Sequence, residues 1–234
     1  TQHRTQCKTM DENNSLSVTF TFSAEEVENP YFELLFGALR NHMHIIEGSR
    51  PLVLPLTRNI IANPEADVLQ LDWIYGFYMA NRYTKWRILN TVITILRTPF
   101  FMLDLTLISL LPTSVVWTVH NKRHHERRYP LIERVINEIA FWSSDRISVK
   151  CENARSVLVE TYYNAKEEKI SVVPDGNYIS SYQNVTNRSS ARNSLSIDDG
   201  KFVYLFFGLI RPYKGVPELI DAFDHLQFTD IELW

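Results

Sequence analysis

Cysteine is nearly absent. Cys7 and Cys151 are the only two, far apart in the chain and outside any metal or redox motif, which excludes a disulfide framework and points to a reducing compartment. Glycine is scarce as well, 7 of 234 residues. Neither Gly-x-Gly-x-x-Gly nor Gly-x4-Gly-Lys-Ser/Thr occurs, which argues against binding of dinucleotides or nucleoside triphosphates. Charge of one sign is not in excess: 24 Lys and Arg face 27 Asp and Glu, a formal −3, so nothing draws the whole chain to nucleic acid or an anionic membrane. Long hydrophobic runs are missing too. The greasiest segment, Tyr83 to Leu111, is interrupted by Arg87, Arg97 and Asp104, and no stretch of about 18 apolar residues is free of charge, so a packed helix, or one resting on a bilayer surface, is expected rather than a spanning one. Thr1 to Asn14 is polar and offers no signal peptide to read. What is present, 45% hydrophobic and 22% charged residues, is ordinary for a soluble globular protein.

Apolar periodicity alternates between the two elementary repeats along the chain. Ser15 to Phe22 alternates as a strand, and a helix led by Pro30 follows; His44 to Glu47 is a short strand and Ala66 to Ile74 a buried one. Ser114 to Asn121 is a further buried strand, Leu131 to Trp142 a helix, Asp145 to Lys150 a strand, Asn153 to Tyr163 a helix and Lys169 to Pro174 a strand. This βαβα order predicts a doubly wound parallel sheet, whose ligands lie beyond the carboxyl ends of the strands. Asp72 and Trp73 close one such strand, and His120 and Asn121 close another. Trp73 serves equally as core packing, since aromatic side chains are mostly packing material. The stretch from Ile179 to Gly200 turns polar and rich in Ser and Asn, which marks a junction between a first domain, 15–178, and a second that starts at 201.

The second domain opens with an apolar run, Val203 to Phe207, closed by Gly208 and read as a strand buried on both faces. A polar loop with Arg211 and Lys214 leads into a helix that has Pro217 and Glu218 in its first turn. Two cations beside outward-pointing helical N–H groups suit a phosphate or diphosphate; a solvated basic turn is the plain alternative. Lys122, Arg123, Arg127 and Arg128 form another basic cluster, fit either for an anionic acceptor or bilayer surface or simply for solvent. His120, His124, His125 and Glu126 match no standard zinc spacing, so no metal is expected. Asn-x-Ser/Thr matches at Asn13, Asn184 and Asn187 are what chance supplies.

Phe207-Gly208-x-x-Arg211-Pro212-Tyr213-Lys214-Gly215-Val216, followed by Glu218-Leu219-Ile220-x-Ala222-Phe223, resembles the opening of the nucleotide-sugar domain of family 4 glycosyltransferases, two-domain enzymes of the GT-B fold. Val115 to Asn121, with His125 and Glu126 soon after, is similar to the acceptor-domain strand that carries the family's active-site histidine. Asn29-Pro30-Tyr31 is similar to its first acceptor-side loop. Val172 to Tyr178 is similar to its interdomain Pro-x-Gly segment, with Asp175 where histidine is common. These matches run in order from about Ser15 to Trp234.

The resemblance implies transfer of a hexose-type sugar from a nucleotide diphosphate sugar to a polysaccharide or lipid-linked acceptor, with retention of configuration and without metal or cofactor. It assigns the donor diphosphate to Gly208, Arg211 and Lys214 and a catalytic place to His120. Asn121, Asp72, Trp73, His125 and Glu126 fall on the acceptor side or line the cleft, and Asp175, Gly176 and Asn177 lie between the domains. It also makes 179–200 a linker and 201–234 the start of a donor domain cut short, and it places the protein in polysaccharide biosynthesis in the cytoplasm, in peripheral contact with a membrane. An inactive fragment, or an acceptor-binding or membrane-surface module without turnover, is the alternative.

Overall fold

In the computed structural model of the chain, residues 17–21, 30–49, 51–80, 86–122, 128–182, 185–226 and 230–234 are described. They form two compact units, 1–178 and 179–234. The first contains β1 (Ser17–Thr21), α1 (Pro30–Leu39), β2 (His44–Glu47), α2 (Pro55–Ala62), β3 (Val68–Leu71), α3 (Tyr75–Tyr78), α4 (Arg87–Ile108), β4 (Ser114–Thr118), α5 (Pro130–Ser143), β5 (Arg146–Val149), α6 (Glu152–Thr161) and β6 (Ile170–Val172). Its six strands lie in the order β2-β1-β3-β4-β5-β6, and every neighbouring pair is parallel. The chain steps to one side of β1 for β2 and to the other for β3. The gap beyond the ends of β1 and β3 is therefore the switch point, where the loops diverge and leave a crevice.

Alternation along the strands sorts the helices onto two faces. Leu69 and Leu71 of β3, Val115 and Trp117 of β4, and Ile147 and Val149 of β5 belong to one buried cluster with Leu56 of α2, Leu105 of α4 and Ile136 of α5. Val68 points the other way and packs with Ile45, Trp73 and the α1 side chains Phe32 and Phe36. Two of these helices, α2 and α3, are not announced by the sequence pattern: both are short, and Leu54, the residue before α2, takes the left-handed conformation at φ 50° to turn the chain into it.

A carboxylate holds the start of α2. Asp104, fully buried in α4, accepts from the backbone N–H of Leu56 and of Thr57, each at 2.8 Å. These donors have no partner within their own helix, and Leu54 supplies no side-chain cap, so α4 caps α2 across 48 residues. Burial raises the Asp104 pKa above its ordinary 3.8, while the two backbone bonds pull it back.

The second unit contains α7 (Arg188–Ser194), β7 (Phe202–Tyr204), α8 (Val216–Asp224) and β8 (Ile231–Leu233), with β7 and β8 parallel. The stretch from 179 to 200 falls within this unit. Arg192 of α7 donates to the carbonyl of Lys201 at 2.8 Å and to that of Asp198. The expectation of a strand through Phe207 buried on both faces is corrected: β7 stops at Tyr204, Phe202 is 60% exposed and Phe207 91%. Among the described residues this unit has one pair of strands with two helices, too few layers to cover both faces of a sheet.

Asp104→Ala is expected to lower unfolding stability by roughly 2–4 kcal/mol, because two buried N–H groups lose their acceptor. Denaturant melts measure this. The raised folded-state pKa means the native state holds its proton longer than the unfolded one, so this group's contribution falls as pH climbs through and above 3.8 and is flat beyond the raised value. Asp104→Asn should remove that slope.

Candidate functional site

At the switch point the segments that follow β1, β3 and β4 bring their residues to one place. β3 ends at Leu71, so Asp72 and Trp73 follow it directly; His120 lies two residues past β4, and Tyr31 stands in the first turn of α1, which follows β1. Asp72 is the centre. His120 Nε2 lies 2.8 Å from Asp72 Oδ1, and the Tyr31 hydroxyl donates to the same oxygen at 3.2 Å. The Trp117 indole N–H donates to the Asp72 carbonyl at 3.0 Å. Gln70 Nε2 donates to Thr118 Oγ1 at 2.7 Å and stands 3.4 Å from Asp72 Oδ2, tying the ends of β3 and β4 together.

Both partners of this contact are out of water, His120 with 6% and Asp72 with 0% of its side chain exposed. Trp73 stacks flat on the imidazole, rings 3.8 Å apart at 8°, and Tyr31 meets it edge-on at 5.1 Å and 83°. With Oδ1 accepting from Tyr31, the natural partner in the 2.8 Å contact is an Nε2–H donor. That leaves Nδ1 as the second nitrogen of a ring whose rotation is blocked on two sides. Burial first, then the Asp72 charge and the hydrogen bond to it, push the Tyr31 phenol pKa far above its usual range, so Tyr31 remains a donor at any working pH.

Asp72, Trp73, His120 and Asn121 line a water-sized cavity of about 30 Å³ together with Trp117, Glu133 and Asn137. Glu133 and Asn137 come from α5, are 5% and 8% exposed, and were not foreseen. Asn137 donates to the Tyr162 hydroxyl at 2.9 Å. Their signal was available: two polar residues one turn apart inside the apolar arc of α5 that Ile136 and Ala140 define. Also unforeseen were Tyr31 as a partner of Asp72, and Lys150, which follows β5, ion-pairs with Asp175 and lies 6.0 Å from the Tyr31 ring. Asp175, Gly176 and Asn177 follow β6 and are exposed. His125 and Glu126, with Arg123 and Arg127 of the basic cluster, lie outside the described residues. Among the described residues no three His, Cys, Asp or Glu side chains are grouped to hold a metal ion.

In the second unit Gly208, Arg211 and Lys214 share one loop. Gly208 has φ 134°, a backbone that side chains other than hydrogen resist, and a Cβ there would stand 2.9 Å from Lys214 Nζ. The ammonium therefore lies against bare backbone. Arg211 precedes a single 3₁₀ turn, Pro212–Lys214, in which Lys214 N–H bonds the Arg211 carbonyl at 3.0 Å, and Gly215 at φ 66° turns the chain into α8. Both cations are exposed at the amino-terminal side of that helix.

No protein-family model matches the sequence, and no curated protein does. Solved structures do match. HepE of Anabaena in complex with UDP-glucose superposes with a TM-score of 0.59 at 15% identity, over 93% of this chain and 59% of that one. HepE in complex with UDP and glucose gives 0.58 at 14% identity, over 94% and 60%. This chain thus spans about three fifths of the length of the structures it matches. Its architecture, parallel sheets wound with helices, is an α/β fold of the GT-B type.

Proposed function

We propose that this protein is a glycosyltransferase that takes its sugar from a nucleotide diphosphate donor. The observation that supports this reading best is the likeness of fold to HepE solved with UDP-glucose. The two sites described above accord with it: a polar, aromatic-walled site at a switch point in one unit, and a pair of cations on open backbone at a helix start in the other. Arg211 and Lys214, with the N–H groups around Gly208, receive the diphosphate and carry the charge that develops as the C1–O bond to it breaks. Transfer proceeds with retention and without metal, to a polysaccharide or lipid-linked hydroxyl that enters on the side of Asp72, Trp73 and His120.

In this scheme Asp72 is a positioning residue. It fixes the tautomer and the plane of His120, so the imidazole meets a sugar hydroxyl with Nδ1 as acceptor, at no further entropic cost on binding. Glu133 and Asn137 deepen the same wall with a carboxylate and a carboxamide, groups suited to hydroxyls.

Calorimetric titration with UDP-glucose tests the donor site. Lys214→Ala is expected to weaken binding roughly ten-fold or more, the worth of a charge-assisted contact to phosphate; unchanged affinity removes Lys214 from the diphosphate. On the other side, ¹⁵N shifts of the His120 ring should report a proton on Nε2 and none on Nδ1 in the neutral form. Asp72→Ala should mix the two tautomers while leaving the affinity for UDP-glucose as it was.

A further inference from the structure

The carboxyl edge of the six-stranded sheet carries two more charged side chains than the sugar-transfer reading uses. Lys150 directly follows β5, and Asp175 comes three residues after β6. Sheet register sets where the first of them stands. Thr118 pairs with Ser148, and the Val119 N–H bonds the Ser148 carbonyl at 2.9 Å. Two residues on, His120 and Lys150 therefore leave their neighbouring strands at the same level, and the period of two sends both to the face opposite Val119 and Val149, which lie in the main core. Tyr31 touches both: its ring is 5.1 Å from that of His120 and 6.0 Å from Lys150 Nζ. Burial and Asp72 account for most of the rise in the Tyr31 phenol pKa, and Asp175 adds to it, which puts this carboxylate within electrostatic reach of the same ring. Asp72, His120, Tyr31, Lys150 and Asp175 thus make one cluster, within the first unit.

Lys150 and Asp175 form an ion pair with side chains 34% and 43% exposed. Pairs this open contribute little to folding, so the fold has small need of it. Their bonding capacity is mostly unused. Among the described residues the ammonium donates to Asp175 alone, with one of its three N–H groups, and the carboxylate accepts from Lys150 alone, through Oδ2, which leaves Oδ1. Two donors and an acceptor side by side fit the neighbouring hydroxyls of a sugar ring: one hydroxyl donates to the carboxylate and the next accepts from the ammonium.

Charge tells such a site from a phosphate site. The pair has no net charge, and a phosphate drawn to Lys150 meets the Asp175 carboxylate on the same ammonium. Arg155, the next cation along the chain, is matched by Glu152 and Glu167. The two described cations between β4 and α5 belong to the opposite face. There the Lys122 carbonyl accepts from Tyr162 of the main core at 2.8 Å, and Arg128 adjoins Tyr129, which packs against the same cluster.

We propose that Lys150 and Asp175 are specificity-determining residues for the acceptor: together they take two neighbouring hydroxyls of a neutral saccharide, beside the hydroxyl that meets His120, and they turn away a phosphate at that place. This rests on the sugar-transfer reading only in calling the saccharide an acceptor. Titration of ¹⁵N-labelled protein with glucose, galactose, mannose, maltose and cellobiose, and with glucose 1-phosphate, tests it, because the amides of Tyr31, His120, Lys150 and Asp175 report separately from those of Gly208 to Lys214. At least one neutral saccharide is expected to shift the first set at concentrations roughly ten-fold below those that glucose 1-phosphate needs. Lys150→Met, which keeps the stem and removes the donors, should weaken that saccharide about ten-fold. Asp175→Ala should weaken it too and, by freeing the ammonium, should tighten glucose 1-phosphate about five-fold at the first set. A pair that only braced the fold would lower the thermal midpoint and leave the ratio of the two ligands where it was. Saccharides that shift none of the first set, a wild type that prefers glucose 1-phosphate there, or a ratio unchanged in both variants overturns the proposal. The wild-type preference decides even where a variant does not fold. UDP-glucose is titrated in parallel: if it shifts neither set while a neutral saccharide still shifts the first, the sugar-transfer reading falls and the subsite stands as a saccharide-binding site.

Discussion

Everything at the switch point hangs on one buried carboxylate. Asp72 has no exposed side-chain surface, and its partners come from helix α1, the loop after β4 and the strands β3 and β4: Tyr31, His120, Gln70 and, at its backbone carbonyl, Trp117. A buried anion is costly unless its lone pairs are met by donors, so these partners stabilise it and are in turn fixed by it. The flat stack of Trp73 on His120 is a consequence, since an imidazole held by one nitrogen presents one face to whatever ring follows Asp72 in the chain. The geometry is therefore preformed and needs no ligand to assemble it.

Much of this was legible in the residue pattern. A parallel sheet places polar residues at strand ends outside its core, so Asp72, Trp73, His120 and Asn121 could be named from position alone. That two of them would pair could not, because the distance between β3 and β4 loops is set by sheet order, which no local signal carries. Tyr31 reaches the site from α1, and Glu133 and Asn137 from α5, where their one-turn spacing inside the apolar arc was the only signal they gave. The apolar run from Val203 misled for a related reason: five hydrophobic residues describe a strand that needs two covering layers, and among the described residues of that unit the layers are too few.

Helix α4 teaches the reverse lesson. Its composition invited a membrane reading, and its three charges argued against a spanning one. What composition could not give was the sorting of side chains around the axis. Asp104 turned out to be a structural tether rather than a solvated interruption, and its burial leaves the exposed positions from Ile88 to Leu103 apolar.

The outer strands of the sheet bear on how the molecule keeps to itself. An open sheet ends in rows of unpaired amide and carbonyl groups, a template onto which a foreign chain can crystallise. Here both borders are cut short, four residues in β2 and three in β6, and Glu47 at the tip of β2 lies 3.9 Å from Arg40. A stranger adding there would find little ladder to extend and a charged pair to displace. The six-stranded sheet thus offers little for fibrillar growth at its margins.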